Sequence, residues 1–205
     1  TLCGDVSGEA TVEVPLGTTV GAVIEAVEEK SLSELGVKAV QFGGPTGAFF
    51  AGDSSAPGAG AAPATPAVGG PLETPIDYEA LAAAGAIMGS ATVHVFGAGG
   101  GSAATGVCAV ELARDALSYL AGQSCGKCTA CREGAYQLSE MLDDLVEGRA
   151  RPDDMELMLD LCEAMKGGSV CGLGKTAATP LLSLLALFPD DFRAHLDDKR
   201  CPAKE

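Results

Sequence analysis

The first part of the chain alternates between strand-like and helix-like patterns of apolar residues. Residues 10–17, ATVEVPLG, alternate apolar and polar side chains and predict a strand. A helix capped by Thr18 or Thr19 is predicted next, from apolar residues at helical spacing: Val20, Val23, Ile24 and Val27. Residues 37–42, VKAVQF, predict a second strand that a glycine-rich turn follows. Strand, helix and strand over so few residues predict a compact α+β domain of β-grasp type, which we assign to residues 1–95.

Two segments rich in small residues interrupt this pattern. Residues 52–71 consist mainly of Ala, Pro and Gly with one charge, and they predict a flexible insertion. Residues 76–88 then predict a short helix, and ATVHVF predicts another strand. The next stretch, FGAGGGSAATG, places Gly99, Gly101 and Ala104 in a G-x-G-x-x-G/A pattern. A dinucleotide site also needs an acidic residue on a following strand to bind the ribose, and no such strand is predicted here. A hairpin tip or interdomain loop is therefore favoured over a dinucleotide site.

From Cys108 onward the apolar spacing is helical. The first helix runs toward Gly122, just before a run of cysteines. Three more helices are predicted from their apolar faces and from the glycine and proline residues at their ends. One ends at Gly148, one runs from Pro152 to Gly167, and one is LLSLLALF after Thr179. A short piece around Phe192 and His195 follows. Four helices with short links predict an all-α four-helix bundle over residues 108–205.

Composition and charge restrict the possible partners and the compartment. The chain has 205 residues, 47% of them hydrophobic, which is enough for one large or two small cores. Its net charge of −15 argues against nucleic acid or an anionic membrane as partner. No run of about 18 apolar residues predicts a membrane-embedded helix. The eight cysteines are concentrated late in the chain without a signal peptide, so we expect a cytoplasmic protein rather than a secreted disulfide framework.

The strongest chemical signal is SCGKCTACREG, which contains Cys125, Cys128 and Cys131. Bacterial ferredoxin-type [4Fe–4S] sites use the same C-x2-C-x2-C run and take a fourth cysteine from far along the chain. A zinc site usually combines cysteine pairs or cysteine with histidine. No second C-x2-C exists, and His94 and His195 are each isolated in the sequence. We therefore favour an iron–sulfur cluster over zinc. Lys127, Arg132 and the short polar spacers argue against a set of buried free thiols, because buried thiols normally have apolar neighbours.

Cys171 is the expected fourth ligand. It lies in GGSVCGLGKT, where glycines on both sides let the backbone approach a cluster and offer free amides to its sulfides. Cys201 is the rival, because it precedes Pro202 as remote ferredoxin ligands often do. The remaining cysteines are expected to pack in the fold or have no partner that can be named: Cys3, Cys108 and Cys162.

Basic and glycine residues surround the four proposed ligands. A cluster with four thiolates is net negative, so nearby cations stabilise it and raise its potential. The predicted supporting residues are Gly126, Lys127, Arg132, Gly172 and Lys175. Ordinary solvated surface charge is an equally good interpretation of each basic residue taken alone.

Several stretches together resemble a known family. SCGKCTACREG, GGSVCGLGKTAATPLLSLLALFPDDFRAHL and the terminal KRCPA resemble the C-terminal region of the NADH-oxidising flavoprotein subunit of respiratory complex I. They equally resemble its relatives in NAD-dependent hydrogenases and formate dehydrogenases. CGDVSGEATVEVPLGTT, FGGPTGA and TPIDYEALAAAGAIMGS resemble the soluble-ligand-binding β-grasp (SLBB) domain that precedes that region. The resemblance covers nearly the whole chain except residues 52–71.

This resemblance implies a role for the cysteines. In the family, the cysteines matching Cys125, Cys128, Cys131 and Cys171 bind a [4Fe–4S] cluster that accepts electrons from a reduced flavin. The family's N-terminal domain, which binds FMN and NADH, has no counterpart in this sequence, and residues 89–101 depart from the usual glycine turn and strand. We therefore expect a fragment that is not catalytic alone.

The expected function is that of an electron-transfer module in an NADH:acceptor oxidoreductase. Its expected partners are other subunits or domains of an NADH-oxidising complex, on the cytoplasmic side of the membrane if the complex is peripheral. Two alternatives remain open: a structural zinc-binding interaction module, and a ligand-binding β-grasp module whose cysteines matter little.

Overall fold

A four-stranded mixed sheet organises the first half of the chain. The computed structural model describes residues 1–52, 71–97 and 106–204. The strands are β1 (Leu2–Gly4), β2 (Ala39–Phe42), β3 (Ala48–Ala51) and β4 (Val93–Phe96). Their order across the sheet is β1-β4-β2-β3, with β1 parallel to β4 and the other two pairings antiparallel. Three short helices accompany the sheet: α1 (Val20–Glu28), α2 (Leu32–Leu35) and α3 (Tyr78–Ala83).

The helix predicted after residue 17 is confirmed as α1, and Thr19 is its cap. The backbone N–H of Ala22 donates to Thr19 Oγ1 at 3.2 Å, whereas the Thr18 hydroxyl donates to the carbonyl of Pro15. The strand predicted over residues 10–17 is wrong. Only Ala10 pairs, in an isolated bridge with Leu2. Alternation requires a core on one side, and here Val12, Val14 and Leu16 are all exposed.

The second half of the described chain is helical. Its helices are α4 (Ala109–Gln123), α5 (Thr129–Val146), α6 (Asp154–Gly168), α7 (Gly172–Thr176), α8 (Thr179–Leu187) and α9 (Pro189–Leu196), and a 3₁₀ turn covers Pro202–Lys204. The four predicted helices correspond to α4, α5, α6 and α8. The segment around Phe192 is the helix α9. The sequence does not predict α7, because GLGKT combines two glycines with no apolar period.

The hairpin β2–β3 is buried on both faces and joins the two halves. Successive side chains of a strand point to opposite faces. Val40, Phe42 and Phe50 accordingly enter a core with α1, whereas Ala39, Phe49 and Ala51 enter the core of the helices. The chain is therefore an α+β protein in which a small sheet packs directly against a helical layer.

Polar contacts fix the same junction. The backbone N–H of Phe49 donates to Ser183 Oγ of α8 at 2.9 Å. Lys38 Nζ, just before β2, donates to Asp191 Oδ2 of α9 and to the carbonyl of Val107, each at 2.7 Å. These contacts hold the sheet against the start of α4 and the start of α9.

Two predicted features cannot be compared with the structure. The flexible insertion at residues 52–71 lies outside the described residues except for its two ends. The glycine pattern at Gly99, Gly101 and Ala104 lies wholly outside them.

Candidate metal centre

Four cysteines line one cavity at the end of α4 and the start of α5. The cavity has a volume of about 100 Å³. Its lining residues are Gln123, Ser124, Cys125, Cys128, Cys131, Cys171 and Leu173. The structure therefore brings the contiguous cysteine run and Cys171 together, as the sequence predicts for four ligands of one centre.

The cysteine run lies on a tight turn that leads into a helix. α4 ends at Gln123, and Ser124 Oγ accepts a hydrogen bond from the backbone N–H of Gly126 at 3.3 Å. Gly126 has a φ of +75°, a conformation that favours glycine. Cys128 is the N-cap of α5, and Cys131 lies in the first turn of that helix. The amide groups at the N-terminus of α5 favour negative charge at this position.

Three glycines allow the segment that carries Cys171 to approach α5. A Cβ at Gly134 would collide with Met165 of α6, and one at Gly168 would lie 2.8 Å from the Ala130 Cβ. A Cβ at Gly174 would lie 3.1 Å from the Cys131 Cβ and 2.5 Å from Ser169 Oγ. The bare backbone therefore brings α6 and α7 close enough for Cys171, the N-cap of α7, to reach the cavity.

The spacing of the sulfurs is wider than a single ion requires. Among the described residues, no trio drawn from these four cysteines has all its sulfurs within 4.8 Å of one another. Tetrahedral zinc with Zn–S bonds of about 2.3 Å holds its sulfurs about 3.8 Å apart. Roughly 10–15 Å³ on the same scale holds one water, so this cavity is several times larger than one small ion needs. The donor set and the dimensions therefore fit a polynuclear cluster with thiolate ligands.

The exposure of the four cysteines is graded. Cys131 is buried, Cys128 is half-buried, and Cys125 and Cys171 are exposed. The neighbouring Val170 is 83% exposed, which is unusual for a valine. One wall of the cavity therefore faces solvent.

The predicted supporting residues have different surroundings. Arg132 Nη1 donates to the Gly126 carbonyl at 2.6 Å, and its Nε donates to Glu133, so this guanidinium holds the cysteine turn in place. Lys127 and Lys175 are exposed beside the cavity. A Cβ at Gly172 would meet no protein atom within 4 Å, so protein packing does not require glycine there.

Sequence reasoning misses two serines and one glycine of the site. Ser169 Oγ is buried and has no hydrogen-bond partner among the described residues, and it lies against Gly174. An orphaned hydroxyl at this depth is uncommon. Ser169 does not line the cavity itself and lies behind Gly174, whose backbone is close to Cys131. Ser124 Oγ lies 3.5 Å from Cys131 Sγ. Ser169 and Gly174 lie in GGSVCGLGK and Ser124 lies in SCGKCTACREG, and only the glycine and serine content of these stretches could have suggested them.

The other cysteines lie elsewhere. Cys201, the rival fourth ligand, does not line the cavity and instead lies beside Cys108 and His195. His195 is isolated in the sequence, but the fold brings two distant cysteines next to it. Cys162 is buried in the core as expected, and burial raises the pKa of its thiol to about 12. Cys3 is a half-buried residue of β1.

Comparison with known proteins identifies the region that contains this cavity. The family model described as the NADH-ubiquinone oxidoreductase-F iron-sulfur binding region matches residues 111–195. This part of the chain belongs to that family. It includes all four cysteines of the cavity, whereas Cys108 and Cys201 lie outside the matched residues.

Relatives extend the similarity beyond the matched region. The NADP-reducing hydrogenase subunit HndC of Solidesulfovibrio fructosivorans is 34% identical over 98% of this chain, which covers 36% of that protein. An NADH-quinone oxidoreductase subunit of Mycobacterium tuberculosis is 34% identical over 64% of the chain, which covers 28% of that protein. The chain therefore spans roughly a third of the length of these curated relatives.

A solved structure shares the arrangement of the chain. An NAD⁺-reducing [NiFe]-hydrogenase in the H₂-reduced state superposes with a TM-score of 0.72 at 28% identity. The match covers 98% of this chain and 30% of the hydrogenase chain. Separately, none of the helices in the described part of this chain has the length and apolar character needed to cross a bilayer.

Proposed function

We propose that this chain is an electron-transfer module that holds one [4Fe–4S] cluster on Cys125, Cys128, Cys131 and Cys171. The observation that carries the proposal is the convergence of these four cysteines on one cavity inside the matched iron–sulfur binding region. When bound, the cluster supplies one-electron transfer, and the protein fixes its position and tunes its potential.

The surroundings of the cavity support a relay role. The buried Cys131 anchors the inner side of the cavity, and the exposed Cys125 and Cys171 place its outer side near the surface. A donor or acceptor on another domain or subunit can therefore come close to the cluster. We propose that a flavin on a neighbouring domain reduces the cluster, and that other iron–sulfur centres accept its electrons. The names of the relatives, which include NADH-quinone oxidoreductase and hydrogenase subunits, support a role in electron transfer.

The fold supports a matching division of the chain. We propose that residues 1–95 are a β-grasp module of SLBB type and that residues 108–205 are a four-helix cluster-binding module. The four-stranded sheet with α1 on one face supports the first assignment, and the packing of α4, α5, α6 and α8 supports the second. We also propose a cytoplasmic location, because all eight cysteines lie among the described residues as free thiols, which suits a reducing compartment.

Iron and sulfide analysis of the anaerobically purified chain tests the proposal. We expect about four iron and four sulfide per chain, a brown colour with absorption near roughly 400 nm, and a low-temperature EPR signal on reduction. Cys171→Ser removes a ligand, so we expect it to lose the cluster. Cys201→Ser is the matched control, and we expect its iron content to equal that of the wild type.

Two results would contradict this assignment. Full iron content in Cys171→Ser together with loss of iron in Cys201→Ser would transfer the fourth ligand to Cys201. A colourless anaerobic protein with zinc at the four-cysteine cavity would favour a structural zinc-binding interaction module instead.

A further inference from the structure

A second group of potential metal ligands lies away from the four-cysteine cavity. Cys108, His195 and Cys201 each offer one ligand atom, and these three atoms all lie within 4.8 Å of one another. Within this group, Cys108 Sγ and His195 Nε2 are 3.2 Å apart. Cys108 and His195 are each only 2% exposed, and Cys201 is half-buried.

We propose that Cys108, His195 and Cys201 form a mononuclear zinc site. Zinc is bound by cysteine sulfur at about 2.3 Å and by histidine nitrogen at about 2.0–2.1 Å in tetrahedral geometry. Those bonds place two ligand sulfurs about 3.8 Å apart and a sulfur and a nitrogen about 3.5 Å apart. The three ligand atoms already lie near these separations, so the ion fits with small side-chain adjustments. Three protein ligands for the ion lie among the described residues.

The imidazole is oriented as a metal ligand requires. Its Nε2 faces the Cys108 sulfur, and the backbone of Leu145, near the end of α5, also hydrogen-bonds the ring. Metal-bound histidines commonly donate their second ring N–H to a backbone carbonyl, which fixes the ring and its tautomer.

The two sulfurs are placed to share a cation. The Cys108 and Cys201 sulfurs lie within 4.8 Å of one another, and Cys108 is buried just before α4. A divalent cation between the two sulfurs would convert them to thiolates and cancel their charge. Lys204 does not fill that role, because it is exposed and paired with Glu111 at 2.7 Å.

The proposed zinc site is separate from the cluster cavity. Cys108 precedes α4 and Cys125 follows it, so the 15 residues of that helix separate the two sites by ~22 Å. The ligands come from three places: the start of α4, the helix α9 and the segment before the 3₁₀ turn. Zinc would therefore fasten residues 197–204 to the helical layer without taking part in electron transfer.

Metal analysis of the iron-loaded chain tests the zinc site independently of the cluster. After dialysis against a weak chelator, we expect about one zinc per chain in addition to iron. We expect Cys201→Ser and His195→Gln to weaken zinc binding at least about 100-fold in a competition assay with a chromophoric chelator, while iron is retained. Cys3→Ser, which alters another half-buried cysteine, is the matched control and should retain both metals. Cys201 lies close to the end of the described chain, so Cys201→Ser remains informative if His195→Gln fails to fold.

Three outcomes would overturn the proposal. The first is a wild-type chain with full iron content that does not retain zinc. The second is equal zinc affinity in the wild type and Cys201→Ser. The third is a disulfide between Cys108 and Cys201 in the native chain, detected as two thiols that resist alkylation until a reductant is added. Loss of iron alone would contradict the proposed cluster but not the proposed zinc site.

Discussion

Helices α4 and α5 have a group of cysteines near each end, and the two groups differ in nearly every physical respect. The group around Cys125, Cys128, Cys131 and Cys171 lines a cavity of about 100 Å³ that opens to solvent. The group of Cys108, His195 and Cys201 has ligand atoms within 4.8 Å of one another, and two of its members are almost fully buried. The first group is all sulfur, and the second includes a nitrogen ligand.

The difference shows how backbone geometry selects the kind of centre. At the open site, formed by Cys125, Cys128, Cys131 and Cys171, bare glycine backbone lets two segments approach. No three of its sulfurs lie within 4.8 Å of one another in the described part of the chain. At the closed site, formed by Cys108, His195 and Cys201, the start of α4, the helix α9 and the segment before the 3₁₀ turn bring the ligand atoms within 4.8 Å of one another. A polynuclear cluster needs the first arrangement, and a single tetrahedral ion needs the second.

The largest expected effect concerns the glycine contact that forms the open site. In Gly174→Ala the new Cβ would lie 2.5 Å from Ser169 Oγ and 3.1 Å from the Cys131 Cβ. Forcing such contacts apart costs about 1–3 kcal/mol and moves Cys171 away from the other cysteines. We expect iron retention to fall several-fold, measured as iron per chain after anaerobic gel filtration.

Gly167→Ala is the control for this change. A Cβ there meets nothing within 4 Å, and alanine is the better helix former in α6. Zinc content should be unchanged in both variants, because the closed site lies at the other end of α4. Wild-type iron retention in Gly174→Ala would show that the close approach of α7 to α5 does not position Cys171.

The next effect concerns the closed end of the molecule. Lys38 Nζ bonds Asp191 Oδ2 and the Val107 carbonyl, and Asp191 also accepts a hydrogen bond from the backbone N–H of Ala109. These contacts flank Cys108 on both sides. The Lys38 and Asp191 side chains are only 16% and 18% exposed. Lys38→Met would leave Asp191 without its cation, so we expect a loss of about 2 kcal/mol in the free energy of unfolding, measured by urea denaturation.

A neighbouring ion pair on α9 provides the comparison. Arg193 and Asp190 are 3.0 Å apart but more than 70% exposed, so Arg193→Met should cost less than about 0.5 kcal/mol. Lys38→Met should also weaken zinc retention and leave iron content unchanged. Equal stability of the two variants would show that the Lys38–Asp191 pair does not help to hold the sheet against the helices.

The two sites also differ in how well the sequence predicts them. Three of the open-site cysteines fall within seven consecutive residues, and such a spacing is a local signal. Cys171 is predictable because glycines on both sides mark a close approach of the backbone. Cys108, His195 and Cys201 are separated by 87 and 6 positions, so only the packing of α4, α9 and the final turn brings them together. No local pattern distinguishes Cys108 and His195 from core residues, and the local signal at Cys201 is the proline that follows it.

The elements of the fold differ in the same way: some are predictable from a local sequence pattern, and others depend on tertiary contacts. The long amphipathic helices are predictable because each has an apolar face that repeats through several turns. Residues 10–17 have a strand-like alternation, but no neighbouring strand or core among the described residues covers them beyond the single bridge at Ala10. α7 is a short glycine-containing helix that depends on its contact with α5, which no propensity could reveal.

The smallest expected effect concerns the buried hydroxyl behind the open site. Ser169 Oγ has no partner among the described protein atoms and lies against Gly174. A donor aimed at a cluster stabilises its reduced, more negative form. Ser169→Ala should therefore lower the reduction potential by on the order of tens of millivolts, measured by redox titration followed by EPR.

The stability of the same variant gives the complementary test. An unpaired buried hydroxyl costs free energy, so its removal from the cluster-free chain should leave the stability equal or slightly higher. Ser139→Ala is the control and should leave the potential unchanged, because this buried serine of α5 has no contact with Gly174. If both variants have the wild-type potential, Ser169 does not donate to the cluster, and the open site is tuned by its backbone amides and nearby cations.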